Sequence, residues 1–183
     1  LANYGAAPTT PVESGWARVR EAQRRAVAAD AHAGLAVAID IGDRYDIHPP
    51  NKQELGRRLA RAARHAVYGE AIAPSGPVPL GARRQGGEVV VTFGDIEREL
   101  VAYSASWPIG FELCGAAPGS CRFAAARIEG TGVLLEVPAR TAPTRVRYCW
   151  ADSPVCTLFD GAGLPAGPFE VPIEAEAGGR PVR

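Results

Sequence analysis

Two segments near the start of the chain carry apolar side chains at helical spacing. Residues 15–31 and 52–68 each place an apolar stripe on one side and arginines on the other. Ser14 precedes the first segment and Asn51 the second, and both residue types favour the N-cap position. Gly69 follows the second segment as a C-cap. The pattern therefore predicts two amphipathic helices.

Between these helices the apolar residues no longer alternate with polar ones. Residues 35–39 are an unbroken apolar run, which is typical of a strand buried on both faces of a parallel sheet. Residues 1–4 resemble the end of another strand. With a polar loop at 41–51, residues 1–73 predict strand, helix, strand, loop and helix. This order indicates the last part of a doubly wound α/β sheet, which needs more strands than this chain holds.

The pattern changes at the proline- and glycine-rich residues 73–79. Beyond them helical periodicity disappears, and short β-rich runs recur with Gly/Pro turns between them. The spacing of these runs predicts an all-β sandwich. We place the domain boundary near residue 74, with an α/β domain over 1–73 and a β-sandwich domain over 74–183. The predicted strands are 88–93, 98–104, 109–113, 122–128, 132–137 and 144–150.

Composition excludes two classes of function. The chain has 20 Lys+Arg and 20 Asp+Glu, and this balance disfavours a nucleic-acid partner, because such binding depends on clustered positive charge. Its apolar runs are far shorter than the ~20 residues that a membrane span needs. The chain opens with Leu1 and contains no methionine. We therefore expect it to be part of a longer protein.

Acidic side chains and an imidazole converge in the loop after the predicted strand. Asp40, Asp43, Asp46 and His48 all lie there, at the edge where open α/β sheets place their active sites. A histidine oriented by a carboxylate is the base of a hydrolase triad. The alternative is a surface loop whose aspartates cap turns beside an incidental histidine. A calcium site is disfavoured, because the loop lacks the alternating oxygen ligands and closing Glu of an EF-hand.

The residues around His48 resemble a known family. The runs GLAVAIDIGD at 34–43 and DIHPPNKQELGRRLA at 46–60 look like the C-terminal signature of the sialate O-acetylesterases, serine esterases of the SGNH hydrolase class. The resemblance implies that His48 is catalytic and that acetyl groups are removed from hydroxyls of sialic acid or related sugars. It covers nearly the whole chain in order, with further matching blocks at 16–23, 75–77, 147–154 and 163–169.

The resemblance leaves two parts of the catalytic site open. Asp46 is the first candidate to orient His48, since the two would share one side of an extended segment. Asp43 is the alternative, and a backbone carbonyl in their place would leave a Ser–His dyad. The Gly-Gln-Ser-Asn-like nucleophile motif of the family is missing. We therefore expect the chain alone to be inactive and to need the N-terminal part of the same catalytic domain.

Four cysteines form two pairs of equal spacing. Cys114 and Cys121 bracket one turn-rich connection, and Cys149 and Cys156 bracket another. Four cysteines permit three pairings, of which two local bridges are the simplest, and four reduced thiols are the alternative. The spacing does not fit a structural zinc site. Disulfides would place the protein outside the cytosol, in the periplasm or secreted.

The resemblance thus implies a carbohydrate O-acetylesterase with a Ser-His(-Asp) mechanism and an acetylated sugar as substrate. The sequence predicts no metal, no cofactor, no nucleic acid partner and no membrane span. The alternative is a non-catalytic carbohydrate-binding or packing β-sandwich module. Trp107 and Trp150 could stack on sugars in such a module, although packing in the core is favoured for both.

Overall fold

A computed structural model describes residues 1–175 as two helices followed by ten strands. Neither helix has the length and apolar character that crossing a membrane requires, among the residues described. The helices are α1 (Gly15–Ala28) and α2 (Lys52–Tyr68). The strands are β1 (Val78–Gln85), β2 (Glu88–Gly94), β3 (Leu100–Ala102), β4 (Phe111–Cys114), β5 (Arg122–Phe123), β6 (Ala126–Glu129), β7 (Gly132–Glu136), β8 (Arg145–Tyr148), β9 (Leu158–Asp160) and β10 (Phe169–Glu174).

Both helices begin where their caps predict. The hydroxyl oxygen of Ser14 accepts a hydrogen bond from the backbone N–H of Ala17 at 3.0 Å. The side-chain oxygen of Asn51 accepts one from the N–H of Glu54 at 3.2 Å. Gly69 ends α2 with a φ of 68°, a left-handed conformation that glycine adopts without steric cost. The helix predictions are confirmed, except that α1 ends about a turn earlier than expected.

Eight strands form one mixed sheet in the order β5-β4-β8-β10-β1-β2-β7-β6, and β3 pairs separately with β9. Only the β1–β10 pair is parallel among these ladders. One continuous core includes residues from both ends and the middle of the sheet, such as Phe111, Val89, Leu135 and Phe169. The sheet therefore curls until its own apolar face closes on itself.

The predicted fold class is wrong. We expected part of a doubly wound α/β sheet of the SGNH type followed by an all-β sandwich, but residues 1–4 and 35–39 form no strand. Val37, Ala38 and Ile39 are buried. The apolar run therefore reports burial, and burial alone does not make a strand, because a strand also needs a neighbour for its backbone hydrogen bonds.

The second part departs from the prediction in its architecture. All six predicted segments contain strands, but they belong to one curled sheet and a two-stranded ladder instead of two facing sheets. Sequence patterning missed β1, β9 and β10. The change from helix to strand falls between Tyr68 and Val78. The proposed boundary near residue 74 remains a prediction.

Polar contacts join the segment of residues 1–77, here called the helical part, to residues 78–175, the sheet part. Arg20 of α1 is buried, and its guanidinium donates to the carbonyl oxygens of Leu1, Ala2, Ala151 and Asp152 at 2.7–3.1 Å. Burial lowers the pKa of Arg20 to about 10, which leaves the group charged at neutral pH. One arginine thus links the chain start, α1 and the loop after β8.

Candidate active site

The loop between residues 40 and 51 brings Asp46 and His48 together. Nδ1 of His48 lies 3.1 Å from Oδ1 of Asp46. The same carboxylate oxygen accepts the backbone N–H of His48 at 2.8 Å. A carboxylate at Nδ1 is the arrangement that orients a catalytic imidazole and leaves Nε2 to exchange a proton with a substrate or nucleophile.

Both side chains of this pair face solvent. His48 is 86% exposed and Asp46 is 59% exposed. The pKa of Asp46 is lowered, first by the backbone N–H of His48 and then by its side chain, with a smaller contribution from the charge of Lys52. Asp46 therefore stays ionised and can stabilise a positive charge that forms on His48.

The other two aspartates of the loop have separate partners. Oδ1 of Asp43 accepts the backbone N–H of Tyr45 at 2.8 Å, so this residue caps a turn. Asp40 binds Arg58 through both carboxylate oxygens, at 2.6 and 2.8 Å. Of the acidic residues considered from the sequence, Asp46 is therefore the one in contact with His48.

Arg58 is a residue of this region that sequence reasoning missed. Its side chain is 5% exposed, and besides Asp40 it binds the carbonyl oxygen of Val37 at 2.8 Å and Glu54 at 3.0 Å. The signal was available, because Arg58 lies three residues after Leu55 and four before Ala62 on the predicted apolar stripe. A charged residue on the buried face of a helix needs charged or polar partners.

A cavity of about 360 Å³ lies beside this loop. It is lined mainly by apolar side chains of the chain start, α1, the run before the loop, the loop and α2, together with the polar residues Asn3, Asn51 and Lys52. Ile47 and Pro49, the residues on either side of His48, are among its walls. Asp46 and His48 are not among the residues that line it, so the recess borders the loop at the two neighbours of His48 and has space for a small ligand.

The serines of the described chain do not form a hydrogen bond with His48. Ser14 caps α1 and donates to Asp152 at 2.5 Å. Ser120 donates to the carbonyl oxygens of Gly115 and Ala117 in the turn between two cysteines. Ser75 and Ser153 are buried. Among the described residues, the Asp46–His48 pair therefore has no serine in hydrogen-bonding contact.

The cysteines pair locally, as their spacing predicts. Cys114 is bonded to Cys121, and Cys149 is bonded to Cys156. Glu112 lies close to the first bridge, and these three residues are the one cluster of possible metal ligands among residues 1–175. Because both cysteines are in a disulfide, their sulfurs are not available as thiolate ligands.

The two tryptophans considered as sugar platforms have different environments. Trp150 is buried, with the guanidinium carbon of Arg147 4.5 Å from its ring centre. Trp107 is 58% exposed and lines a groove of about 460 Å³ together with Phe123. The prediction that both tryptophans pack in the core is therefore confirmed for Trp150 and wrong for Trp107.

Comparison with known proteins finds a similar enzyme among the solved structures. No protein-family profile and no curated protein matches the chain. Among solved structures, the chain is similar to the crystal structure of a carbohydrate acetylesterase from Xanthomonas citri, with 39% sequence identity and a TM-score of 0.83. The match covers 93% of this chain and 39% of that enzyme. The chain therefore shares sequence and fold with somewhat more than a third of a carbohydrate acetylesterase.

Proposed function

We propose that this chain is part of a carbohydrate O-acetylesterase and that His48 is the general base of its catalytic site. The contact between Asp46 Oδ1 and His48 Nδ1 carries this proposal. The similarity to a carbohydrate acetylesterase over 93% of the chain supports the same reaction class. The acetylated sugar would occupy the recess beside the loop, which borders the residues next to His48.

The reaction begins with transfer of the acetyl group to a serine. Nε2 of His48 takes the proton of the serine hydroxyl as its oxygen attacks the acetyl carbonyl carbon. The positive charge on His48 is stabilised by Asp46, which is ionised because its pKa is lowered. His48 then protonates the sugar oxygen as the ester bond breaks. The products of this half-reaction are the free sugar hydroxyl and an acetyl-serine.

Water completes the cycle by the same steps. Nε2 of His48 takes a proton from water, whose oxygen attacks the acetyl-serine carbonyl carbon. The tetrahedral intermediate collapses, His48 returns the proton to the serine oxygen, and acetate leaves. Asp46 keeps the imidazole in one orientation and one tautomer throughout both half-reactions.

The nucleophile and the oxyanion donors come from residues outside this chain. The serines discussed above either make other contacts or are buried, and none forms a hydrogen bond with His48 among the described residues. The similar enzyme is also much longer than the match. The 183-residue chain alone is therefore inactive on acetyl esters. For the complete enzyme we propose an acetyl ester of sialic acid or a related sugar as the substrate.

Two disulfides and an acetylated sugar substrate fit a protein outside the cytosol. Reducing conditions of the cytosol keep thiols unpaired, whereas the periplasm and the extracellular space preserve disulfides. The location that agrees with both features is therefore the periplasm or the exterior of the cell.

The test is hydrolysis of p-nitrophenyl acetate by the full-length protein that contains this chain. His48→Ala should lower kcat by ~10³-fold or more, as loss of a triad base does. Asp46→Asn should lower kcat less than this, but more than Asp43→Asn. The matched control is His65→Ala, since His65 is an exposed histidine of α2 in contact with the carbonyl of Glu70. Release of acetate from O-acetylated sialic acid and from neutral acetylated sugars then identifies the substrate.

Three results would contradict parts of this proposal. Full turnover in His48→Ala removes the base assignment. A larger loss in Asp43→Asn than in Asp46→Asn moves the acid to Asp43. Acetyl ester hydrolysis by the 183-residue chain that His48→Ala abolishes would mean that one of its own serines is the nucleophile.

A non-catalytic carbohydrate-binding module is the second candidate, and the exposure of Trp107 favours it. Trp107 and Phe123 line one groove, and exposed aromatic rings at such a groove can stack on sugar faces. Quenching of tryptophan fluorescence by neutral oligosaccharides, lost in Trp107→Ala and kept in His48→Ala, would support this function. Esterase activity that depends on His48 would favour the enzyme.

A further inference from the structure

The Asp46–His48 pair lies in a segment with little packing of its own. The loop contains no helix or strand, and both side chains are more than half exposed. Its side-chain contacts are local, such as those from Tyr45 to Asp43 and from His48 to Asp46. A general base must keep its position within a fraction of an ångström to transfer a proton efficiently. From outside, the carbonyl oxygen of Arg44 in the middle of the loop accepts the backbone N–H of Gly5 at 2.9 Å. The ends of the loop must be held from outside as well.

Arg58 binds both ends of this loop. At the N-terminal end, its two terminal nitrogens donate to the two carboxylate oxygens of Asp40 at 2.6 and 2.8 Å. At the C-terminal end, its Nε donates to Glu54 at 3.0 Å. Glu54 is itself joined to the last loop residue, because its N–H donates to Asn51. One guanidinium thus connects the residue before the loop with the first turn of the helix after it.

The geometry of Arg58 depends on its planar fork of donors. One terminal nitrogen also donates to the carbonyl oxygen of Val37 at 2.8 Å, so three partners share one group. Burial lowers the pKa of Arg58, but hydrogen bonds and charges of Asp40 and Glu54 outweigh burial and raise it overall. A lysine ammonium lacks the fork and cannot bind a carboxylate through two parallel hydrogen bonds.

We propose that Arg58 is a positioning residue for the Asp46–His48 pair, acting through Asp40 and Glu54 at the two ends of the loop. Arg58 does not touch the reacting atoms. The effect of this residue on turnover rests on the function proposed above, because only a catalytic His48 makes loop position matter for the rate. The effect on the loop itself does not depend on that function.

The first experiment measures the loop by NMR in the 183-residue chain. The titration of the Asp46 carboxyl carbon and the amide signals of residues 41–50 are followed in the wild type and three variants, Arg58→Ala, Arg58→Lys and Arg57→Ala. Arg57 is the matched control, since it is the neighbouring arginine of α2 and lies 3.6 Å from the same Glu54, but is 67% exposed.

Arg58→Ala should raise the pKa of Asp46 toward its ordinary value, because the loop no longer holds His48 against the carboxylate. The amide signals of residues 41–50 should broaden, while those of the sheet stay in place. Arg58→Lys should give an intermediate shift, and Arg57→Ala should leave both readouts unchanged.

Each of three outcomes would overturn the proposal. The Asp46 titration could be unchanged in Arg58→Ala, or Arg57→Ala could shift it equally. The sheet signals could also collapse together with the loop signals, which would make Arg58 a residue of general stability. Arg58→Lys is the milder variant. If the sheet signals collapse in Arg58→Lys as well, the conclusion is again that Arg58 stabilises the whole fold.

The second experiment separates this proposal from the proposed function. In the full-length protein, Arg58→Ala should lower kcat for p-nitrophenyl acetate by ~10²-fold, the scale of a misplaced catalytic group, and change KM by less than ~2-fold. Unchanged kcat in Arg58→Ala, with turnover lost in His48→Ala, overturns the role of Arg58 and leaves the function intact. If Arg58→Ala changes the loop by NMR while His48→Ala keeps full turnover, the role of Arg58 in holding the loop stands and the proposed function fails.

Discussion

The helical part and the sheet part are each stabilised internally by a different kind of interaction. The sheet part contains the large core cluster, in which aromatic side chains such as Phe111, Tyr148 and Phe169 are fully buried. In the helical part the buried apolar residues are few and mostly small: Ala17, Val37, Ala38, Ile39 and Ala62. Its order depends on buried arginines, chiefly Arg20 and Arg58, which bind carbonyl and carboxylate oxygens.

This difference matters for function, because the candidate catalytic pair belongs to the helical part. Apolar burial is non-directional and stabilises a fold as a whole, whereas a guanidinium fork fixes a few particular atoms. The sheet therefore provides a stable base, and the arginine contacts set the position of the loop. Local changes should disturb the loop without unfolding the sheet.

The largest effect is expected from the sheet core. Phe169 is fully buried, and its ring centre lies 5.6 Å from Tyr148 and 5.9 Å from Phe93. Phe169→Ala should lower the free energy of unfolding by about 3–5 kcal/mol. Phe123→Ala is the control, since Phe123 is about half exposed, and it should cost below ~1 kcal/mol. Chemical denaturation measures both, and equal costs would contradict a core centred on Phe169.

The next effect concerns a buried carboxyl group of the sheet. Burial raises the pKa of Glu112 to about 7; Arg147 of β8 opposes this shift, and Glu13 and Glu170 add to it. The folded state therefore holds the proton more tightly than the unfolded state does. The contribution of Glu112 to stability should therefore be greatest at low pH, fall as pH rises from 4.5 to about 7, and then level off.

Glu112→Gln removes this charge and tests the pH dependence. The difference between the two pKa values corresponds to about 3 kcal/mol at full ionisation. Above pH 7 the variant should therefore be more stable than the wild type by up to that amount, and the difference should vanish in acid. Glu129→Gln, at an exposed position of β6, should keep the wild-type profile. Thermal melting across this pH range would refute the assignment if both variants behaved alike.

The disulfides should stabilise chiefly the sheet part, although the loop closed by Cys149 and Cys156 also carries the carbonyl oxygens of Ala151 and Asp152 that bind Arg20. Each closes a short loop, with the two cysteines seven positions apart. By the chain-entropy argument each bridge contributes about 2–3 kcal/mol. Replacing either pair with alanines should lower stability of the sheet by this amount and leave the titration of Asp46 unchanged. Peptide mapping without reduction checks the pairing, and a link between Cys114 and Cys149 would defeat it.

The smallest effect is expected at the contact between the two parts. Arg20→Ala removes four hydrogen bonds and leaves buried carbonyl oxygens unpaired, at a cost of about 2 kcal/mol. Arg18→Ala, which breaks an exposed ion pair with Glu13, should cost below ~0.5 kcal/mol. Hydrogen exchange should show faster opening of residues 1–4 and α1 in Arg20→Ala only. Faster exchange throughout the sheet would instead make Arg20 part of the common core.

The sequence by itself determined the local features of this protein. Ser14 and Asn51 mark helix starts because a cap acts on backbone groups three residues away. Gly69 ends α2 because a left-handed residue is needed at that position. The two disulfides pair locally because turns bring cysteines seven positions apart into contact. The spacing of two residues likewise makes Asp46 the acid best placed to reach His48, while the position of the pair in the fold depends on how the loop is held.

Only the tertiary structure decided the features that depend on distant parts of the chain. The apolar run at 35–39 is buried without becoming a strand, because strand formation needs a partner backbone that sequence periodicity cannot show. The eight strands form one sheet because β1 pairs in parallel with β10, about ninety residues later in the chain. Arg58 connects α2 to the start of the loop and is not a surface charge, because the carboxylate of Asp40, eighteen residues earlier, accepts a hydrogen bond from its guanidinium. Such contacts are set by the fold, since their partners are remote in sequence.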